Sequence, residues 1–368
     1  MNQDTLAQRP VKPTPLGTHV KPTPPDLFIA HDVCMETRWE NMYGRGYLTP
    51  ASIFFIRNHT ATPVIDARSW RLRVEGPGVA NPLELTYDDV LALPSTSVTR
   101  YLECAGNARI FFEEYQGRQA KGRPWRFGSY GVADWTGVAL HEILERAQIK
   151  PSAVDVMPTG LDERRVERPM PVAKAMQDDT LLAYAMNGDV LPPDHGFPAR
   201  VIVPGWVAIN SIKWVGSIFV SKEPIYVERN TVEYVLAGPD YASEPPALGP
   251  VLTTTPVRSA IALPWPATLQ AGSRMVRGYA WSGTGAIAAV DYSLDGGRSW
   301  TPAEIREPNI PTGGCRWEFV WEAKRGQHAI TMRATDTEGH TQPDPETVRW
   351  NDRGYEFGAT VAHPVEVV

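Results

Sequence analysis

Along this chain the pattern of apolar and polar positions changes character near residue 257. Before it the pattern is mixed. SIFFIRNH (52–59), WRLRVEG (70–76), ARVIVPG (199–205) and IKWVGSIFV (212–220) read as strands, being rich in β-branched and aromatic residues. TYDDVLAL (86–93), ALHEILERAQ (139–148) and the region around DDTLLAYAM (178–186) read as short helices. After it, MVRGYAWSG, AIAAVDYSLDGG, WEFVWEA and HAITMRATDTEG alternate with period two, and Asp-Gly-Gly and Glu-Gly turns separate them. Short strands at that spacing, with no helical periodicity, predict a β-sandwich of immunoglobulin-like type. The expected fold class is α+β: a mixed α/β domain over 40–240, a Pro/Gly/Ala-rich linker over 241–256 and a sandwich over 257–368. Residues 1–39 read as an N-terminal arm. VKPTP occurs in it twice, at 11–15 and 20–24. That composition suits an extended wrapping arm or a disordered tail.

Composition narrows the function without naming it. The 368 residues carry a net charge of -6 and no block of five like charges. General nucleic-acid binding, which needs clustered cations, is not expected. No apolar run reaches the roughly 18 residues of a membrane span. The N-terminus lacks a basic segment followed by an apolar one, so the chain as written is expected in the cytoplasm, or in the periplasm if a signal peptide has been removed. Three cysteines, Cys34, Cys104 and Cys315, are too few for a disulfide framework and do not have zinc spacing. Cys34 and Cys315 read as small buried hydrophobes.

Cys104 is different. In TRYLECAGNAR (99–109) a strand-like run meets the turn Ala105-Gly106-Asn107, and Cys104 stands at the junction with Arg109 behind it. FFIRNH ends in Arg57, Asn58 and His59. DHGFPARVIVPGWVAINSIKW sets His195, Arg200, Ser211 and Lys213 among Gly- and Pro-rich turns. Cationic donors at loop tips fit a phosphate-bearing ligand. A lone thiolate suits a soft, high-valent metal whose other ligands come from a cofactor, and nearby cations favour the thiolate. A buried structural thiol is the other reading.

These stretches closely resemble the sulfite oxidase family of molybdopterin enzymes, in order: RNH, CAGN, a Trp-bearing segment before WTG, LAYAMNG, DHGFP-RVIVPG, SIKWVG, and YAWSG with SLDGG. The resemblance runs from about residue 40 to the C-terminus. It implies a molybdopterin-binding catalytic domain followed by an immunoglobulin-like domain that forms a homodimer. It implies one molybdenum held by the dithiolene of a single pterin and by Cys104. It also implies a substrate pocket of Arg57, Arg109, Trp125 and Tyr184. For the pterin and its phosphate it implies Asn58, His59, Asp162, His195, Arg200, Ser211 and Lys213, with Asp162 accepting from pterin ring N–H groups.

Departures from animal members are visible. The first 40 residues are too few for a haem domain, so no haem is expected in this chain. Electrons would then go to an external acceptor, a c-type cytochrome or oxygen. Pro364 follows His363 where vertebrate members carry a further arginine, so a third substrate arginine is not expected, and Ala108 replaces an arginine of many relatives. The reaction implied is molybdenum-dependent oxidation of sulfite to sulfate. Its rivals are another sulfur substrate on the same cofactor, sulfane sulfur or a sulfoxide, and a non-catalytic binding protein. No catalytic motif falls after residue 214.

Overall fold

The computed structural model describes Pro15 and residues 17–368. The first VKPTP copy, apart from Pro15, lies outside the described residues. The chain opens with the antiparallel hairpin Phe28–His31 and Cys34–Thr37. Two five-stranded sheets then build the first domain. One runs in the order Leu83–Thr86, Arg71–Glu75, Val215–Ser221, Asp155–Gly160, Met170–Pro171. The other runs Asp189–Val190, Leu181–Met186, Tyr130–Ala139, Thr96–Glu103, with Arg200–Ile202 also paired to Leu181–Met186.

Leu72, Val74, Val156, Ile218 and Val220 of the first sheet meet Val138, Leu182 and Val201 of the second, together with Leu140, Ile143 and Leu144 of the helix Leu140–Arg146. On the far face of the second sheet lies a separate core: Leu102, Cys104, Ala133, Trp135, Leu181, Ala183 and Ile202, packed with Phe54, Phe55 and Trp125. Strand alternation therefore decides which residues can reach Cys104.

Two expected elements differ. LLAYAM is the strand Leu181–Met186, not a helix. It is paired along both edges and apolar on both faces, so its run has no period-two signature to set it apart from a buried helix. SIFFIRNH is not a strand. Ile53 and Phe54 both donate their N–H to the Pro50 carbonyl at 3.0 Å, folding a turn, and only Ile56 bridges, to Met35. Four consecutive buried apolar residues, Ile53 to Ile56, mimic a strand without alternating.

The C-terminal domain is a two-sheet sandwich. One sheet runs Arg258–Ile261, Gly272–Trp281, Gly314–Ala323, Glu304–Ile310. The other runs Ala267–Leu269, Ala362–Val367, Gly326–Asp336, Ile287–Ser293, Thr301–Pro302. Val276, Trp317, Phe319, Ile330 and Val365 fill it. Residues 241–256 lie along the first domain: Val251 bridges Val235, Thr254 bridges Trp206, and Leu252 is buried.

Candidate active site

Thr96–Glu103 ends at Cys104, whose N–H donates to the Ser129 carbonyl and whose carbonyl accepts from Asn107 N–H, both at 2.9 Å. The side chain is thus fixed at a strand end, buried and without a disulfide partner, on the wall of a cavity. Arg57, Asn58, His59, Asp162, His195, Arg200, Ser211 and Lys213 line the same cavity, with Phe54, Phe55, Leu102 and Trp214. Nine of the twelve sequence-selected residues therefore meet at one place.

The basic groups are crowded. Lys213 Nζ donates to Asn58 Oδ1 and, at 2.8 Å, to the Asp194 carbonyl. Arg200 donates to the carbonyls of His195 (2.8 Å) and Ser211 (3.0 Å). Burial lowers the Arg200 pKa to about 9, and burial together with Arg200 drives Lys213 well below its usual value. Burial, then Arg57, Arg229, Arg123 and Lys213, keep His59 neutral. Cations depressed in this way recover their charge when an anion enters. Two orphaned atoms point to the same conclusion. Asp162 Oδ1 accepts from Val166 N–H at 2.8 Å while its Oδ2, and the Nε–H of Arg200, are buried with no partner. One acceptor waiting for a donor and one donor waiting for an acceptor, on the wall of the same cavity, fit a ligand with ring N–H groups and a phosphate, such as a pterin phosphate. The thiolate of Cys104 would be its protein bond to a metal.

Three selected residues are not cavity wall. Arg109 is buried just behind Cys104, donating to the Arg353 carbonyl and, at 2.7 Å, to the Arg123 carbonyl. Its guanidinium lies against Gly106 and Gly122, where any Cβ would collide with it. Trp125 is buried in the Cys104 cluster, its ring 5.0 Å from that of His31. Tyr184 is on the wrong face. Thr136 and Gly137 pair with Ala185 and Ala183, which leaves Tyr184 as the extra residue of a β-bulge, packed against the other core.

The tyrosine at the cavity is Tyr234, which the sequence reading missed. A short π-helical turn, Arg229–Glu233, delivers it. Its hydroxyl accepts from Arg57 at 3.0 Å and lies 3.3 Å from His59 Nε2, and burial raises its pKa. Tyr355 of the second domain stacks on it, ring centroids 5.6 Å apart and 12° from parallel, and Arg109 sits over the Tyr355 ring at 5.3 Å. The chemistry therefore does not stop at residue 214. Pro364, by contrast, pairs with Ala329 inside the sandwich, and His363 Nε2–H donates to the Pro264 carbonyl at 2.8 Å, so neither faces the cavity.

Comparison with known proteins agrees with this geometry. Residues 59–227 match the model of the oxidoreductase molybdopterin-binding domain, and residues 250–358 that of the Mo-co oxidoreductase dimerisation domain. The protein is thus of the molybdopterin-binding oxidoreductase class. Rat mitochondrial sulfite oxidase (Rattus norvegicus) is 36% identical over 88% of this chain and 62% of its own. Sulfite oxidase of Arabidopsis thaliana is 32% identical over 84% of this chain and 85% of its own. The chain belongs to the sulfite oxidase family. It spans less than two thirds of the rat relative's length. Among solved structures, the sulfane dehydrogenase SoxCD from Paracoccus pantotrophus superposes with a TM-score of 0.80 at 28% identity, covering 91% of this chain and 86% of that one.

Proposed function

We propose that this chain oxidises sulfite to sulfate with a molybdenum held by one pterin and by Cys104. When bound, that group supplies oxygen-atom transfer and takes up two electrons, which leave to an external acceptor. The chain's residues bind, orient and shield. Lys213, Arg200, His195 and Ser211 hold the phosphate end, and Asp162 Oδ2 accepts from the pterin ring. Phe54, Phe55 and Leu102 keep bulk water from the Cys104 side of the cavity.

The observation that carries the substrate reading is Arg57. It lines the cavity, and among the described residues its guanidinium donates to the Asn58 carbonyl and the Tyr234 hydroxyl, both at 3.0 Å. Among the described residues it has no carboxylate partner, so a small oxyanion is its natural counter-ion. Tyr234 OH, held by Arg57, adds a donor beside that oxyanion. Arg57→Gln is expected to raise the KM for sulfite by the equivalent of about 2–5 kcal/mol, the cost of losing one side of a desolvated charge pair. Steady-state sulfite kinetics on protein with measured molybdenum content tests it. An unchanged KM would move the substrate elsewhere.

The likeness to a sulfane dehydrogenase favours sulfane sulfur as the second reading. Turnover with a sulfane donor and none with sulfite would replace the first reading by this one. The match to a dimerisation domain supports a homodimer. Light scattering at micromolar concentration is expected to return twice the chain mass, and a monomer mass would refute it.

A further inference from the structure

The second VKPTP copy, at 20–24, lies outside both matched regions, yet it supplies part of the cavity's support. The backbone N–H groups of Val20 and Lys21 donate to the Asp194 carboxylate, at 3.1 and 2.7 Å. Asp194 is fully buried and also accepts from Thr62 Oγ1 at 2.6 Å, while Thr62 N–H donates to the Thr18 carbonyl at 2.9 Å. This clamp carries the Lys21 side chain into the protein, its ammonium 5.0 Å from the Phe28 ring.

The ammonium has three protons and three acceptors. They are the Ala51 carbonyl at 2.8 Å, the Phe54 carbonyl, and His195 Nε2 at 3.2 Å. An ammonium donates and never accepts. Burial lowers the Lys21 pKa to about 7 against the pull of Asp194, and an anion in the cavity favours the ammonium form. In that form Lys21 donates to His195 Nε2, and the neutral ring carries its proton on Nδ1. The ring is held neutral by burial, then by Lys21, Lys213 and Arg200, against a smaller opposing pull from the Ala51 carbonyl. Asp194, the adjacent acid, is committed to the arm. Nδ1 makes no hydrogen bond to any described residue, and His195 lines the cavity beside Arg200, Ser211 and Lys213.

We propose that Lys21 is a positioning residue of the cofactor pocket: by donating to His195 Nε2 it fixes the Nδ1–H tautomer and makes His195 a standing hydrogen-bond donor to the acceptor oxygens of a phosphate-bearing ligand. The proposal rests on the molybdenum–pterin reading above. Without Lys21, Nε2–H would turn to the Ala51 carbonyl, 3.3 Å away, and Nδ1 would present a lone pair to an anionic oxygen.

The test follows molybdenum by mass spectrometry while purified holoprotein is dialysed against metal-free buffer. Four proteins are compared: wild type, Lys21→Met, His195→Asn, whose amide nitrogen replaces Nδ1, and the double variant. Lys21→Met is expected to lose molybdenum about tenfold faster, the range for loss of an outer-shell partner. In the His195→Asn background the same change is expected to add less than about twofold, because residues acting through one another are not additive. Equal factors in both backgrounds, the behaviour of an arm that merely braces the fold, would overturn the proposal. So would wild-type retention in Lys21→Met. Wild-type protein without molybdenum would sink the cofactor reading, and this one with it. Should Lys21→Met fail to fold by circular dichroism, Lys21→Gln takes its place with the same expectations.

Discussion

Cys104→Ser is expected to abolish sulfite turnover and leave the fold in place. Serine offers a hard hydroxyl that ionises far less readily than a thiol, a poor replacement for the soft thiolate ligand. The loss should exceed the roughly 10–100-fold that follows removal of an outer-shell partner. The backbone around residue 104 is fixed by bonds that serine keeps, to the Ser129 carbonyl and from Asn107 N–H. The phosphate-end residues His195, Arg200, Ser211 and Lys213 belong to other segments, so the pterin should still bind. Sulfite-dependent reduction of a small artificial oxidant that wild-type holoprotein reduces, read beside the far-ultraviolet circular dichroism of the same sample, decides the matter. A folded serine variant that turns over at the wild-type rate would remove Cys104 from the metal.

Arg258→Met should have the largest effect on stability. Glu103, one residue before the cysteine, is fully buried. Its Oε1 accepts from Arg258 of the second domain and from Asn107 Nδ2 at 2.8 Å, and its Oε2 accepts from Trp281 Nε1 at 3.0 Å. Arg258 also donates to the Asn107 carbonyl at 3.1 Å. Removing the guanidinium leaves a buried carboxylate without a counter-charge, which costs about 3–5 kcal/mol. The denaturant midpoint should fall accordingly, and Glu103→Gln in the same background should recover part of the loss by removing the stranded charge. A cost below about 1 kcal/mol for the single variant would mean the pair is not buried in solution.

How far the sequence could be read depended on whether a residue's role was carried by a local motif. Cys104, Arg57, His195, Arg200 and Lys213 sit in short runs next to turns that force their direction, and they converge on one cavity. The sandwich strand Gly314–Ala323 was legible because it has one buried face, with Trp317, Phe319 and Trp321 inward and Glu318, Val320 and Glu322 outward, and period two follows from that. Tyr184 and Tyr234 show where reading failed. LAYAMNG is a local motif, but alternation puts Tyr184 on the face of Leu182, opposite Leu181 and Ala183, and a run apolar on both faces does not tell which face borders the Cys104 core. Tyr234 stands in VEYVLAG, at the edge of a stretch whose Gly and Pro suggest only a connection. The signal available was a tyrosine flanked by valines where a solvent-facing linker would have none. The arm's role was illegible for a different reason: its bonds run from residues 20 and 21 to residue 194, and no local pattern reports a partner so far along the chain.

The placement of Arg109 has a consequence for how such a chain can change over generations. Its guanidinium is tied to one carbonyl from each domain, Arg123 and Arg353, and it lies over the Tyr355 ring, while Phe357 packs against Phe111 and Phe112 of the helix that follows Arg109. A crossover that exchanged the sandwich of one lineage for that of another would have to import residues 350–358 already matched to residues 105–125. The two domains thus form one unit of inheritance, in which drift on either side of the Arg109 contact must be answered by the other.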